Sequence, residues 1–217
     1  MDVKDDKNRY DIISSEETSS MINRTRKMIA SELEDMLREI PLEKVRVLDL
    51  CERCDISPQT FYYYFKDKYE LVAWVFINDI YYVFGNMVPF QSSEKTTNLM
   101  SSFLEKKAFY RKVFSDNSQN ALSLYIHRFN TLVSRTVVEE YTGHPLTVQE
   151  LVMINYHSHG IIDTVRDWIL DELNISVEEL GEFCYRQTPD LLYKALASYS
   201  KPMTYLLNEF GQEITYL

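Results

Sequence analysis

Apolar residues recur along this chain at the spacings of three, four and seven that mark one face of an α-helix. The first apolar stripe ends before Pro41 and consists of Ile22, Ile29, Leu33, Met36, Leu37 and Ile40. A short second helix is indicated by an apolar side made of Val45, Val47, Leu48, Leu50 and Cys51. Ser57 is a good N-cap and Pro58 suits the first helical position, so a third helix begins there and runs through Phe65.

Further helices follow along the rest of the chain. Asp67–Glu70 has the cap and the reciprocal glutamate of a fourth helix, which we expect to run to about Gly85. Thr147–Glu150 and Ser176–Glu179 resemble capping boxes, and Pro189 is expected to kink or split the last long helix. Beyond residue 90 the pattern predicts helices over 93–115, 117–142, 147–173 and 176–199.

Residues that end helices are scarce and lie almost entirely between these stretches. The 217 residues include only 5 glycines and 6 prolines. A β-sandwich or barrel needs a turn signal every 8 to 12 residues or so, which this composition does not supply. With 45% hydrophobic residues the chain can bury a sizeable core. The composition therefore predicts an all-α protein.

Compartment and membrane character follow from cysteine usage and from the apolar stretches. The N-terminal residues lack the basic segment and apolar run of a signal peptide, and we expect residues 1–14 to be disordered. Three cysteines do not suggest a disulfide framework. The most apolar stretch, 71–90, contains Asn78, Asp79 and Asn86, which favours a buried helix over a membrane span. We therefore expect a cytoplasmic protein without a membrane partner.

The overall charge argues against a nucleic-acid partner, but the charge is unevenly distributed. The chain has 23 basic and 33 acidic residues, a net charge of −10. Residues 24–71 hold nine basic and ten acidic residues, a net charge of −1, so the negative excess lies elsewhere. We expect weak, strongly salt-dependent non-specific binding to DNA, with base and shape readout supplying much of the discrimination.

Residues 45–71 form the pattern of a helix-turn-helix, in which the second helix lies in the major groove of DNA. Phe61 and Phe65, four residues apart, would anchor that helix from below. Lys66 and Lys68 lie where the next helix begins, beside free backbone N–H groups that should attract a phosphate. The alternative is that the whole aromatic run is core. Under the helix-turn-helix interpretation, the exposed side presents Gln59, Thr60 and Tyr63.

The same segment resembles the N-terminal region of the TetR family of bacterial transcriptional regulators. The resemblance covers Thr25 to about Leu71 and rests on the spacing of Asp49-Leu50, Ile56-Ser57, Thr60, Tyr62, Tyr64-Phe65 and Lys68. By position, it implies that four side chains face the DNA groove, namely Ser57, Gln59, Thr60 and Tyr63. It also implies that three side chains hold phosphates, namely Thr25, Tyr62 and Lys68.

Four residues depart from the family pattern. Asp55 stands where the turn usually has glycine, and aspartate tolerates a left-handed backbone at modest cost. Arg46 replaces a small hydroxyl residue and is expected to add a contact to phosphate or guanine. Pro58 and Gln59 replace residues that are commonly basic or glycine, so the operator sequence cannot be transferred from a relative.

The second half resembles the C-terminal domain of the TetR subgroup named for the dihydroxyacetone kinase regulator. The resemblance rests on Phe109–Lys112, Gln119–Leu122, His159–Ile162 and Trp168–Ile169. It implies that this domain forms a homodimer through its last two long helices and receives the signal. One apolar stripe is a candidate for that interface, with monomer core as the alternative: Ile154, Ser158, Ile161, Ile162, Val165 and Ile169.

Other chemistry finds little support in the sequence. Cys51 and Cys54 form a C-x-x-C motif without a second pair for zinc, which favours packed thiols over redox sensing. His157 and His159 are two apart on a predicted helix and point to different faces, so we expect no metal site. We find no catalytic or cofactor motif and expect no enzyme activity or cofactor. Six aromatic residues could line an effector pocket or pack as core: Tyr110, Phe114, Tyr125, Phe129, Tyr156 and Trp168.

The sequence thus predicts an all-α, homodimeric transcriptional regulator. Residues 15–70 would form a three-helix DNA-binding head, and residues 71–217 a helical regulatory and dimerisation bundle reached through the fourth helix. The leading hypothesis is a repressor released from a near-palindromic double-stranded operator by an effector. Two alternatives remain: a regulator or coactivator controlled by a protein partner, and a helical interaction module that no longer binds DNA.

Overall fold

The computed structural model describes residues 18–85, 92–116, 122–202 and 205–206, and within them it contains helices but no strand. The all-α prediction is confirmed. The elements in chain order are α1 (Thr18–Glu39), a 3₁₀ helix (Leu42–Lys44), α2 (Val47–Arg53), α3 (Pro58–Tyr64), α4 (Lys68–Phe84), α5 (Ser93–Glu105), α6 (Lys107–Phe114), α7 (Leu122–Thr142), α8 (Val148–Ile169), α9 (Val177–Arg186) and α10 (Asp190–Ser198).

We refer to α1, the 3₁₀ helix, α2 and α3 as the head, and to α5–α10 as the bundle; α4 connects the two. Within the head, local hydrogen bonds begin the helices where the sequence predicts. The Ser57 hydroxyl accepts a hydrogen bond from the Thr60 N–H at 3.1 Å, and Pro58 occupies the first turn of α3. The Asp67 carboxylate accepts from the N–H groups of Tyr69 and Glu70 at 2.8 and 2.9 Å and caps α4.

Helix α4 is the central element of the molecule, because it contacts α1 on one side and α5 and α7 on the others. It is apolar around most of its circumference and buries Leu71, Val72, Ala73, Val75, Phe76, Ile77, Ile80 and Phe84. This burial accounts for residues 71–84 of the most apolar stretch of the sequence. Among the described residues, no helix combines the length and apolarity that a bilayer crossing requires.

The bundle departs from the predicted helices at two positions. Helix α8 ends at Ile169, four residues before the predicted end at 173. The single helix predicted over 93–115 is wrong, because α5 ends at Glu105 and α6 begins at Lys107. Lys106 lies at the break, where no glycine or proline marks it, and its side chain joins an ion-pair network with α1 and α4. The expected split at Pro189 is confirmed, since α9 ends three residues before it and α10 begins immediately after it.

Packing within the bundle pairs α5 with α9, and α7 with α8 and α10. At the α5–α9 contact, a Cβ atom on Gly181 would lie 2.6 Å from the Thr97 Cα, so only glycine allows this approach. The candidate interface stripe of α8 is buried within this single chain, which confirms the core alternative: Ile154, Ser158, Ile161, Ile162, Val165 and Ile169.

Several predictions fall on residues that the structure does not describe. They concern the disordered segment 1–14, the first residues of the helix predicted from residue 117, and most of Gln119–Leu122. The predicted division into domains at residues 14 and 70 also stays a prediction.

Candidate nucleic-acid interface

Helix α3 has one buried face and one exposed face. Phe61 and Phe65 are 0% and 1% exposed and pack against each other with ring centroids 5.8 Å apart. Tyr62 and Tyr63 are 50% and 57% exposed. Tyr64 is half-buried, with the buried guanidinium of Arg26 5.9 Å from its ring centroid. The aromatic run is therefore divided between core and surface, and the sequence contains no local signal for the role of Arg26.

The N-terminal end of α3 exposes Ser57, Pro58 and Gln59. The Ser57 hydroxyl is already engaged in the cap, and it lies 2.9 Å from the hydroxyl of the half-buried Thr60. These two side chains are therefore held in one orientation by the helix that carries them. The amide of Gln59 is the most versatile polar group here, because it can donate and accept hydrogen bonds at a base edge.

The turn between α2 and α3 accommodates an aspartate at residue 55, where the family pattern has glycine. Asp55 has φ 53°, a left-handed backbone that aspartate tolerates better than most residues. The N–H of Ile56 donates to the carbonyl of Cys51 at 3.0 Å, which closes the turn. The turn geometry that the helix-turn-helix requires is therefore formed without glycine.

Arg46, immediately before α2, is exposed and forms a two-point ion pair with Asp49. Its Nε and Nη2 atoms donate to the carboxylate at 2.8 and 2.5 Å. The hydrogen bond and charge of each partner raise the pKa of Arg46 and lower that of Asp49. Because water screens such a surface pair, the guanidinium can exchange Asp49 for a phosphate at little cost.

Lys68 is expected to hold a phosphate, but its ammonium has other acceptors in this structure. The Nζ atom donates to the backbone carbonyls of Leu42, Glu43 and Val45 at 2.7, 3.0 and 3.0 Å. Burial lowers the pKa of Lys68. By contrast, Lys66 is exposed, and Thr25 on α1 is half-buried. The phosphate contacts expected of these residues stay predictions.

The sequence analysis expects free backbone N–H groups at the start of α4. That expectation is wrong for three N–H groups, because each donates to a carboxylate. Asp67 accepts from Tyr69 and Glu70, and the buried carboxylate of Glu70 accepts from the N–H of Lys66. The protein's own carboxylates therefore occupy the donors that would attract a phosphate.

The junction between head and bundle contains a charged network that the sequence analysis did not identify. Lys106 Nζ lies 2.8 Å from an Asp79 carboxylate oxygen on α4 and 3.2 Å from a Glu34 oxygen on α1. The buried Tyr110 hydroxyl donates to Asp79 at 2.7 Å, and burial raises the pKa of Tyr110. The one sequence signal for this network was Asp79, a charge within an apolar stretch.

The six candidate effector residues do not form one pocket. The bundle interior contains an apolar cavity of about 40 Å³, and only Phe114 of the six lines it. Phe129 lines a second cavity of about 20 Å³. Tyr110 belongs to the junction network, Trp168 donates its indole N–H to the Ile175 carbonyl, and Tyr125 is half-buried. Tyr156 is 84% exposed. Both cavities are far smaller than the 300 Å³ or so of an ordinary ligand site.

The cysteine and histidine candidates occupy separate environments. Cys51 and Cys54 are buried free thiols, and burial raises the pKa of Cys54 to about 11, which disfavours the reactive thiolate. His159 stacks on His127 with ring centroids 3.9 Å apart, whereas His157 lines the smaller cavity. Across the described ranges, no three histidine, cysteine, aspartate or glutamate side chains are grouped so that they could hold a metal ion.

Comparison with known families identifies both halves of the chain. Residues 33–75 match the model described as bacterial regulatory proteins of the tetR family, and residues 91–189 match a transcriptional regulator C-terminal region. The first match contains the helix-turn-helix described above. The chain therefore belongs to the TetR family of transcriptional regulators.

Individual relatives narrow the resemblance within the family. The chain is 25% identical over 150 residues to the HTH-type dhaKLM operon transcriptional activator DhaS of Lactococcus lactis subsp. lactis (strain IL1403), covering 67% of this chain and 80% of that protein. A solved structure of the dihydroxyacetone kinase operon activator DhaS is similar with a TM-score of 0.51 and 21% identity, over 82% of this chain and 98% of that chain. A TetR transcriptional regulator from Streptococcus agalactiae 2603V has a TM-score of 0.54 and 15% identity, over 79% and 97%. The two structures show the shared fold.

Proposed function

We propose that this protein is a homodimeric, DNA-binding transcriptional regulator that reads its operator with α3 and acts in the cytoplasm. The observation that carries the proposal is the two-faced α3. Phe61 and Phe65 fix its inner side in the core, and its outer side offers a polar and aromatic surface at the end of a helix-turn-helix. A recognition helix needs this combination of rigid support and exposed hydrogen-bonding groups.

Roles for the individual side chains follow from their placement. Base edges are assigned to the N-terminal half of α3 and to Tyr63, that is, to Ser57, Pro58, Gln59, Thr60 and Tyr63. Phosphates are assigned to the flanking residues Thr25, Arg46, Tyr62 and Lys66. The near-neutral charge of the head means that few phosphates are neutralised, so base contacts must supply much of the affinity.

Dimerisation would use the outer face of α8, since its inner stripe is core. Val148, Val152 and Tyr156 recur every four residues on that face and are 78%, 62% and 84% exposed. Gly160 continues the stripe, and a Cβ atom there would meet nothing within 4 Å. An exposed apolar stripe of this kind suits pairing with the same face of a second copy across a two-fold axis. Such pairing would give the two recognition helices that paired half-sites require.

A charge placed in the α8 stripe tests this surface. Val152→Asp should convert the dimer into a monomer in sedimentation velocity, because an unpaired charge would be buried in the interface. Leu104→Asp, at a 42% exposed position on α5, is the matched control and should leave the dimer intact. A Val152→Asp variant that still sediments as a dimer would exclude this face.

For the source of the regulatory signal, we favour the second hypothesis, control by a protein partner. The apolar cavity inside the bundle is about 40 Å³ and would hold no more than a few water molecules, whereas a larger open cleft of about 690 Å³ lies at the junction, between α1, α4 and α5. A signal acting on the outer surface can still reach the head through Lys106, which joins α1 and α4 to the start of α6. We predict repression, whereas the L. lactis relative is named an activator.

Operator binding by paired variants tests the proposed readout. Selection from random duplexes at low salt should enrich a two-fold symmetric site. On that site, Gln59→Ala should lose about 1–3 kcal/mol of binding free energy and relax the base preference at one position in each half-site. Gln187→Ala, an exposed glutamine at the end of α9, should bind like the wild type. Enrichment of no sequence would instead support the third hypothesis, an interaction module without DNA binding.

A further inference from the structure

The two ends of the helix-turn-helix unit are joined by one side chain. Lys68 follows α3, whereas the carbonyls that accept its three hydrogen bonds belong to Leu42, Glu43 and Val45, which precede α2. The bond to Leu42 spans 26 positions of the chain. The hydrogen bonds of this ammonium therefore join the two ends of the segment that runs from the 3₁₀ helix to the start of α4.

The carbonyl site matches an ammonium group in number and position. An ammonium has three N–H donors, and each has an acceptor at 2.7–3.0 Å here. The acceptors lie in the 3₁₀ helix and at the residue that follows it, where backbone carbonyls favour a cation. The Tyr69 ring adds a cation–π contact, with its centroid 5.3 Å from Nζ. The lysine therefore adds a second hydrogen bond to the Leu42 carbonyl, which also accepts from the N–H of Val45, and binds the carbonyls of Glu43 and Val45.

The surroundings of Lys68 are unfavourable for a phosphate. Asp116, Asp67 and Glu43 all act on the ammonium as nearby negative charges. The adjacent backbone donors of Lys66, Tyr69 and Glu70 already bind the carboxylates of Asp67 and Glu70. A phosphate that approached Lys68 would meet these carboxylates and would have to displace backbone carbonyls from its ammonium.

We propose that Lys68 is a positioning residue that fastens the start of α4 to the connection between α1 and α2, and so sets the orientation of α3 relative to α4, without contacting a phosphate. The proposal rests on the proposed DNA-binding function for its effect on operator affinity. Its effect on the head is independent of DNA. Because α4 leads into the bundle, the same contact determines how a change in α4 is passed to the recognition helix.

Salt dependence separates positioning from phosphate binding. Each lost phosphate contact lowers the slope of log K against log salt concentration by about 0.9. Lys66→Met, at an exposed neighbouring lysine, should lower the slope by that amount. Lys68→Met should weaken operator binding while leaving the slope at the wild-type value. Lys68→Arg should resemble Lys68→Met, because a planar guanidinium retains the charge but does not fit the three carbonyls.

A second measurement does not depend on DNA. The N–H of Val45 donates to the carbonyl of Leu42, so loosening this connection should speed hydrogen exchange at Val45 in Lys68→Met and not in Lys66→Met. Faster exchange supports the proposal even if the wild type binds no DNA, an outcome that would reject only the proposed function. Two outcomes would overturn the proposal. The first is unchanged hydrogen exchange in Lys68→Met together with a salt slope lowered as in Lys66→Met. The second is a Lys68→Arg variant with the hydrogen exchange and operator binding of the wild type.

Discussion

The head and the bundle are both helical, but different interactions define their helices. In the head, α2 and α3 have only seven residues each, and side-chain caps, a left-handed turn residue and the Lys68 contact set where they begin and end. In the bundle, α7 and α8 have 21 and 22 residues and are positioned mainly by apolar faces that pack against each other. Helices as short as those of the head have little stability in isolation.

This difference indicates how each region serves function. The head can present a polar outer surface because its few buried aromatics and its hydrogen-bonded ends keep it rigid. The bundle buries Phe103, Tyr110, Phe114, Phe129 and Trp168 around small cavities, so its exposed surfaces, including the outer face of α8, are available to partners. The junction at Lys106 is the polar link between the two regions.

The largest effect is expected at the inner face of α3. Phe61→Ala removes a fully buried ring and should lower the free energy of unfolding by about 4 kcal/mol. Tyr63→Ala, two residues away on the exposed face, should change stability by less than about 0.5 kcal/mol yet weaken operator binding. Urea unfolding and fluorescence anisotropy with operator DNA measure the two quantities. Equal stabilities of the two variants would contradict the division of α3 into two faces.

A pH-dependent loss of stability is expected in the bundle. Burial lowers the pKa of His157 from 6.5 to about 4, so the unfolded chain binds more protons between these values and stability falls as the pH falls from 6.5 towards 4. At a pH of about 5 the loss relative to neutral pH should be about 2 kcal/mol. His157→Leu should remove this part of the pH dependence in urea unfolding, and the exposed control His144→Leu should retain it. The same pH dependence in both variants would refute the assignment.

A smaller effect is expected at the junction. Lys106→Met should lower the free energy of unfolding by about 1–2 kcal/mol, because it leaves the largely buried Asp79 and Glu34 without their cation. Lys194→Met removes an exposed ion pair with Asp190 and should show no measurable change. Thermal unfolding of the two variants provides the comparison. If Lys106→Met unfolds like the control, the network does not hold head and bundle together.

The head was predicted more completely than the bundle because its signals are local. Ser57, Pro58 and Asp67 act within three residues of where they stand, so the starts of α3 and α4 can be read from the sequence. The break at Lys106 has no such local signal. The Lys106 side chain instead pairs with carboxylates of α1 and α4, which are far from it in the sequence. The six aromatic candidates for an effector pocket show the same limit. Their residue type favours both core and ligand contact, and only packing separates the two.

The sequence by itself determined the helical class, the helix-turn-helix, the family resemblance and the exposure of Gln59 and Tyr63 on α3, whereas Thr60, predicted on the same side, is half-buried. Caps, turns and apolar spacing act over one or two helical turns. Only the tertiary structure decided that the inner stripe of α8 is core, that the apolar cavity of the bundle is small, and that Lys68 binds three carbonyls. Each of these depends on groups that are far apart in the chain. Their proximity is a property of the packed fold and not of any local pattern.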